Sequence, residues 1–228
     1  LKLAVESVPD IVVSDVMMPV MDGLTFCTRL KQHEATSHIP VLLLTARSSE
    51  QQYIEGLQTG ADMYMTKPFS ADLLLANIAS LLANRQKLRQ LFKTQNLSSA
   101  LPTTSQHSTL NTQHSTSISP DRRFLDTFLK AMDKHMSNTN LKIEVIGDEI
   151  GLSRVQLYRK VKALTGMTPI EILRETRLKR AMQLLKTTDK TVSEIANEVG
   201  FATPGYFSSC FKKQYDKYPT DIREEMKF

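Results

Sequence analysis

Short apolar runs and amphipathic segments alternate along the first ninety or so residues of the chain. The apolar runs are "DIVVSD" (10–15), "PVLLLTA" (40–46) and the shorter "DMYMTKP" (62–68), and each has the length of a β-strand. Strands with continuous apolar residues are buried on both faces, as in a parallel sheet covered by helices. The segments with helical periodicity are "LTFCTRLKQHEATSH" (24–38), "SSEQQYIEGLQTG" (48–60) and "SADLLLANIASLLANRQKLRQLF" (70–92). The alternation predicts an α/β fold containing part of a doubly wound parallel sheet.

Polar side chains stand at the ends of the three predicted strands. They are Asp15, Thr45 and Lys67. Because functional sites of parallel sheets form at the carboxyl ends of the strands, we expect these side chains to lie together. A carboxylate, a hydroxyl and an ammonium at one place can form a site for a phosphoryl group. The carboxylate would be the nucleophile, and the hydroxyl and the ammonium would bind the phosphoryl oxygens. A solvated acid at the end of a strand is the simpler interpretation of Asp15 alone, but the three residues together favour the phosphoryl site.

The second half of the chain contains an internal repeat. "IGDEIGL" (146–152) aligns with "IANEVGF" (195–201), and the residues that follow align one position further apart. Each copy predicts a short helix, a glycine turn, an N-cap at Ser153 or Thr203, and a second helix, which is the helix-turn-helix pattern. Between the copies, residues 169–190 predict one long helix. We expect its basic residues to face solvent, with a minority near DNA phosphates as the alternative, and they are Arg174, Arg177, Lys179 and Arg180.

Composition separates the two halves. Residues 94–120 carry no charge and are mostly Ser, Thr, Gln and Asn, with "QHST" occurring twice. Such a segment cannot bury enough apolar surface to offset its ordering entropy, so we predict a flexible linker. It divides the chain into a domain over 1–93 and an all-α tandem helix-turn-helix domain over 121–228.

Charge is also unevenly distributed. The net charge is +5; residues 1–100 hold nine basic and nine acidic groups, whereas residues 121–228 hold twenty and fifteen. The basic half favours an anionic partner such as nucleic acid, with a merely solvated basic surface as the alternative. No apolar run approaches the ~20 residues that span a bilayer, so we expect no membrane contact. Cys27 and Cys210 lie among apolar residues, which predicts buried thiols and a cytoplasmic protein.

The motifs "SDVMMPVMDG", "LLLTAR" and "GADMYMTKPF" resemble a response-regulator receiver domain over roughly residues 5–92. The resemblance implies that Asp15 is the phosphoacceptor and that Lys67, followed by a cis peptide bond to Pro68, contacts the phosphoryl group. It also implies that Thr45 and Tyr64 form a conformational switch pair. In the intact receiver it implies Mg²⁺, with Asp15 and the Met17 carbonyl as ligands.

The chain departs from the receiver pattern at its start. The first strand, helix and second strand are missing, together with the acidic pair that helps to hold Mg²⁺. Glu6 and Asp10 fall in what resembles the preceding helix and its loop. We therefore expect three of five strands, an incomplete Mg²⁺ site and an exposed sheet edge. We also expect a longer protein, with a histidine kinase upstream in the same polypeptide and a homodimer when intact.

The stretches "LSRVQLYRKVKALTGMTPIEILRETRLKRAMQLL" and "SEIANEVGFATPGYFSSCFKKQY" resemble the DNA-binding domain of AraC/XylS-type regulators. In that family the two recognition helices enter successive major grooves, ~34 Å apart. Arg159 can make a bidentate contact with guanine, whereas Pro204 and Gly205 offer no side-chain donor. Phe201, Phe207 and Phe211 recur at core spacing. The predicted DNA-binding residues are Arg154, Val155, Tyr158, Arg159, Thr203, Pro204, Gly205, Tyr206, Ser209, Lys212 and Lys213.

The leading interpretation is a binding protein rather than an enzyme: a sequence-specific transcription regulator of a two-component phosphorelay, gated by aspartyl phosphorylation. One alternative is a DNA-binding regulator that is independent of phosphorylation because its receiver is incomplete. A second is an aspartate-nucleophile phosphatase, but such an enzyme needs a second acid where Met17 stands. A third is a protein-interaction module, which the basic excess and Arg159 disfavour.

Overall fold

The computed structural model describes residues 1–46, 59–98 and 120–225, without the side chains of 88 and 91–98. Most of the predicted helix at 48–60 and most of the predicted linker at 94–120 lie outside the described residues. By packing, the chain divides into two units. One comprises Leu1–Phe124 with Val155–Gly166, and the other comprises Leu125–Arg154 with Met167–Phe228.

The first unit contains a three-stranded parallel sheet in the order β1-β2-β3. The strands are β1 (Val12–Asp15), β2 (Val41–Thr45) and β3 (Met63–Thr66), and each lies within a predicted strand. The helices of this region are α1 (Lys2–Ser7), α2 (Gly23–Gln32) and α3 (Ala71–Ser98). The predicted α/β fold class is confirmed, and Glu6 lies in α1 rather than at the end of a strand.

The two faces of the central strand β2 bury different residues. Leu43 belongs to an apolar cluster with Cys27 and Leu30 of α2, whereas Leu42 belongs to a second cluster with Leu81 of α3. Leu42 and Leu43 are both fully buried. Burial on both faces explains why the strand reads as a continuous apolar run.

Two helices end at positions that differ from the prediction. Helix α2 was expected to run to residue 38 but ends at Gln32. The Thr36 hydroxyl donates to the Leu30 carbonyl at 2.8 Å, so a side chain satisfies an acceptor that a further helical turn would have used. Helix α3 instead continues to Ser98, beyond the predicted end at Phe92. Extending an existing helix fixes one residue for each hydrogen bond gained, so a polar segment can prolong it.

Strand β1 forms one edge of the sheet within the described residues, where it pairs with β2 alone. Val13 on this strand is 40% exposed. An uncovered apolar edge promotes pairing between chains, and a lysine there opposes it. We expect Val13→Lys to shift the chain toward monomer in sedimentation velocity at micromolar concentration. Val145→Lys, on a helical valine of 44% exposure, is the matched control and should not produce this shift.

The helical half reproduces the predicted repeat. It contains α4 (Pro120–His135), α5 (Ile143–Glu149), α6 (Arg154–Thr165), α7 (Pro169–Thr187), α8 (Val192–Glu198), α9 (Pro204–Tyr215) and α10 (Pro219–Glu225). The pair α5 and α6 corresponds to the pair α8 and α9, and the glycine turns at Gly151 and Gly200 both have positive φ, 73° and 87°. The long connecting helix α7 begins with a capping box between Thr168 and Glu171.

The second repeat is built on an aromatic core, as predicted. Phe201, Phe207 and Phe211 are almost fully buried and form one cluster with Leu178 and Leu185 of α7. The rings of Phe201 and Phe207 meet edge to face, with centroids 5.2 Å apart. Because these residues occupy the inner side of α9, its other side is left for solvent or a ligand.

Candidate phosphoacceptor site and candidate DNA interface

The three predicted strand-end residues lie at one edge of the sheet. Asp15 ends β1, Thr45 ends β2, and Lys67 follows β3 directly. The Lys67 backbone N–H donates to the Thr45 carbonyl at 2.7 Å, and its ammonium forms an ion pair with the Asp15 carboxylate. The peptide bond between Lys67 and Pro68 is cis, as the receiver resemblance implied.

The Asp15 carboxylate lies in an environment that favours its ionised form. The hydrogen bond from the Lys67 ammonium, followed by one from the Met17 backbone N–H at 3.1 Å, holds the pKa of this carboxyl below its ordinary value. The side chain remains 35% exposed. An ionised, accessible carboxylate is the form that can act as a nucleophile toward phosphorus.

Sequence reasoning missed two residues that shape this site. Gly23, the first residue of α2, approaches so closely that an added Cβ would lie 2.2 Å from the Asp15 carbonyl oxygen. Its N–H donates to the Val16 carbonyl at 2.8 Å. Asp22 caps α2 by accepting the Thr25 N–H at 2.7 Å. The Asp-Gly dipeptide was the available signal, because an N-cap acid followed by a residue without Cβ marks a close helix start.

Tyr64 of β3 contacts a residue that the sequence did not suggest. Its hydroxyl lies 3.4 Å from the Thr59 hydroxyl, and either group can donate. The ring is half-buried, and burial raises the pKa of the phenol. The switch pairing of Tyr64 with Thr45 stays a prediction.

The residues present do not fit a self-sufficient Mg²⁺ site. Asp15 and the Met17 carbonyl would supply two oxygens, but the charge of Asp15 is balanced by Lys67. The described residues include no cluster of three or more His, Cys, Asp or Glu side chains able to hold a metal ion. Mg²⁺ parts with its water reluctantly and is bound through carboxylates, so one carboxylate that is already paired does not make a site for it.

The outer side of α9 presents a polar and basic surface. The Thr203 hydroxyl accepts the Tyr206 N–H at 3.4 Å and caps the helix, which begins at Pro204. The Ser209 hydroxyl donates to the Gly205 carbonyl at 3.0 Å, and a Cβ added at Gly205 would meet nothing within 4 Å. The predicted contacts of the second repeat are all exposed: Thr203, Pro204, Gly205, Tyr206, Ser209, Lys212 and Lys213.

The two lysines near the end of α9 are exposed, and one of them is positioned by an aromatic residue. The Lys212 ammonium donates to the Tyr218 hydroxyl at 3.1 Å and lies 4.2 Å from the centroid of the same ring. Lys213 lies next to it on the same turn. Such ammonium groups at a helix surface can contact phosphate.

The predicted DNA-contacting residues on helix α6, unlike those on α9, differ from one another in exposure and in their partners. Val155 is 52% exposed, Tyr158 is half-buried, and Arg154 forms an ion pair with Glu144 at 3.0 Å. The exposed Arg159 guanidinium donates to the backbone carbonyls of Glu6 (3.4 Å) and Ser7. A contact between Arg159 and a base would therefore replace these two hydrogen bonds.

The expectation that the basic residues of α7 all face solvent is wrong for two of them, Arg177 and Lys179, which are both half-buried. Arg174 and Arg180 are exposed, but Arg177 is half-buried and donates to two backbone carbonyls. Those carbonyls lie about forty positions earlier in the chain, so helical periodicity alone could not have shown them.

Both halves of the chain match known protein families. The model of the response regulator receiver domain matches residues 1–79, and that of a helix-turn-helix domain matches residues 146–225. The chain is 40% identical over 223 residues to histidine kinase P4 of Formosa agariphila, covering 98% of this chain and 15% of that protein. It is 44% identical over 91 residues to the DNA-binding dual master transcriptional regulator RpaA of Synechocystis, covering 40% of this chain and 38% of that protein.

A solved structure is also similar to part of this chain. The C-terminal domain of AraT, a response regulator from Geobacillus stearothermophilus, is 32% identical and covers 43% of this chain and 84% of that chain, with a TM-score of 0.41. The chain spans well under half the length of both curated relatives. Within the described residues, every helix is too short or too polar to cross a membrane. The chain thus joins a response regulator receiver domain to a helix-turn-helix domain, as the two family models match them.

Proposed function

We propose that α6 and α9 bind double-stranded DNA and that a phosphoryl group on Asp15 controls this binding. The observation that carries the proposal is the two-sided character of α9. Its inner side is an aromatic core, and its outer side exposes hydroxyl and ammonium groups over three helical turns. A helix of this kind can lie in a major groove, with its polar side toward bases and phosphates.

The two recognition helices contribute differently to sequence preference. On α6, Arg159 can donate two hydrogen bonds to guanine, and Val155 can contact a thymine methyl group. On α9, Pro204 and Gly205 supply no side-chain donor, and the Ser209 hydroxyl is bonded to its own helix. The α9 residues therefore hold phosphates and sense DNA shape more than they distinguish bases. The phosphate contacts are Thr203, Tyr206, Lys212 and Lys213.

The receiver half accepts the signal. The Asp15 carboxylate attacks the phosphorus of a phosphohistidine on a kinase, so that a P–N bond breaks and a P–O bond to Asp15 forms. Lys67 then exchanges its carboxylate partner for a phosphoryl oxygen, and Thr45 with Tyr64 carries the change to the rest of the domain. The kinase lies upstream in the same cytoplasmic polypeptide, which the similarity to histidine kinase P4 supports. The intact protein is a homodimer, and it would need further carboxylates to hold Mg²⁺.

A second candidate is a regulator whose DNA binding does not depend on phosphorylation. One observation favours it: Asp15 is paired with Lys67, and the described residues include no group of three or more His, Cys, Asp or Glu side chains that could hold a metal ion. The two candidates differ in a single outcome, because treatment of the intact protein with a phosphodonor changes DNA affinity only in the first.

The dependence of binding on salt tests the DNA proposal. Binding of a labelled duplex is measured by fluorescence anisotropy between 50 and 200 mM KCl. Each phosphate contact releases bound cations and adds about −0.9 to the slope of log K against log[salt]. We expect a steep slope for the wild-type chain and a slope shallower by about one unit for Lys212→Ala.

Lys217→Ala is the matched control for this measurement. Lys217 is a nearby lysine whose ammonium is paired with Glu225 at 2.5 Å, so its removal should leave the slope unchanged. A wild-type affinity that is independent of salt would contradict DNA binding through phosphates.

A further inference from the structure

Helix α7 connects the two helix-turn-helix repeats, and Arg177 near its middle is bonded to the segment that enters the first of them. Its Nε donates to the Met136 carbonyl at 2.9 Å, and its Nη2 donates to the Asn138 carbonyl at 2.7 Å. Both carbonyls belong to the turn between α4 and α5. One planar guanidinium thus holds the entrance to the first repeat against the connecting helix.

The turn of the second repeat reaches the same point. Gly200 lies between α8 and α9 with a φ of 87°, and a Cβ added there would lie 2.3 Å from the Met136 carbonyl oxygen and 2.7 Å from Arg177 Nη2. The Arg177 guanidinium carbon is 6.0 Å from the centroid of the buried Phe201 ring. A glycine is required by both the backbone conformation and the space. Three segments distant in sequence therefore converge on one arginine.

A guanidinium is better suited to this place than an ammonium. Arg177 is half-buried, and this burial lowers the pKa of its guanidinium, which nevertheless stays charged because its ordinary pKa is so high. Its rigid, planar guanidinium donates hydrogen bonds to two carbonyls at once, whereas the ammonium of a lysine is a single point charge on a flexible side chain. Charge-assisted hydrogen bonds to carbonyls are stronger than neutral ones, so the contact resists relative movement of the three segments.

We propose that Arg177 is a positioning residue that fixes the entrance of the first repeat relative to the turn of the second, and so sets the operator spacing that the protein accepts. The proposal rests on the proposed DNA binding. Two recognition helices must meet successive major grooves about 34 Å apart. Inserting one base pair between the two half-sites moves one of them by about 3.4 Å along the duplex and rotates it around the duplex axis. Two repeats that are held rigidly cannot then contact both half-sites at once. Two repeats that can move relative to each other can still contact both.

Operators with altered spacing test this proposal. A preferred duplex is first selected from a random pool with the full chain, and versions with one base pair inserted or deleted between its two half-sites are then prepared. We expect the wild type to bind both altered duplexes at least about tenfold more weakly, comparable to the cost of a mismatched base pair. Arg177→Met should keep its affinity for the selected duplex within about fivefold and lose less than about threefold on the altered ones.

Two further variants separate geometry from charge. Arg177→Lys keeps the charge but cannot hold both carbonyls, so it should resemble Arg177→Met. Arg174→Met removes an exposed positive charge three residues earlier on the same helix and should keep the wild-type discrimination. Thermal melting identifies variants that fold, and Arg177→Lys carries the test if Arg177→Met does not fold.

The outcomes distinguish the two proposals. If the folded Arg177 variants discriminate between spacings as the wild type does, Arg177 does not set the spacing. If the wild type selects no sequence and its affinity is independent of salt, the proposed DNA binding is wrong, and the role of Arg177 in operator spacing is wrong with it.

Discussion

Incubation of this chain with magnesium and acetyl phosphate is expected to leave its mass unchanged. The nucleophile is present, because the Asp15 carboxylate is 35% exposed and is ionised at neutral pH, its pKa being held below an ordinary value that is already acidic. Transfer of a phosphoryl group nevertheless brings further negative charge against this carboxylate, and in such reactions a metal ion neutralises the developing charge. Asp15 with the Met17 carbonyl is a poor site for such an ion, because the charge of Asp15 is already balanced by Lys67.

Intact mass spectrometry measures this outcome directly. A stoichiometric gain of one phosphoryl group, lost in Asp15→Asn, would show that these residues suffice without an acidic pair. Asp22→Asn is the matched control, since Asp22 caps α2 close to the site and its replacement keeps a side chain that can cap a helix. If the Asp22→Asn variant gains the mass of a phosphoryl group and the Asp15→Asn variant does not, Asp15 is the acceptor. That result would contradict the argument that the missing charge of a metal ion prevents the transfer.

Arg159→Ala is expected to weaken binding to the preferred DNA sequence by about 1–3 kcal/mol and to relax the preference at one base position. The reason is that a bidentate contact with guanine cannot be replaced by a methyl group or by water in the same geometry. The guanidinium is exposed, and its Nη1 donates to the carbonyls of Glu6 and Ser7 in this structure, so it leaves these two acceptors when it binds guanine. Selection from a random pool, followed by sequencing, measures the preference at every position.

Lys162→Ala provides the comparison for this substitution. Lys162 is exposed on the same helix one turn further along, outside the predicted base-facing positions. Its removal is expected to weaken all sequences alike and to leave the preferred sequence intact. An unchanged preference in Arg159→Ala would show that α6 has been placed on DNA in the wrong orientation.

Local pattern was sufficient for the elements whose periodicity is strong. The three strands fall within the predicted runs because fully buried parallel strands carry continuous apolar residues. The two repeats have the predicted spacing because each copy needs the same helix lengths and the same glycine turn. The proximity of Asp15 to Lys67 was also predictable, because the carboxyl ends of adjacent parallel strands meet at one edge of a sheet.

The sequence by itself therefore determined the order of the elements, the apolar interior and the strand ends that meet, since these follow from periodicity and from strand direction. Only the tertiary structure decided which long-range partners the polar groups found. Helix α2 ends where the Thr36 hydroxyl donates to the Leu30 carbonyl. Arg177 is half-buried because it donates to two carbonyls about forty residues earlier in the chain. A hydrogen-bond donor in a sequence does not specify its acceptor, because the acceptor is chosen by the packing that brings distant backbone within about 3 Å.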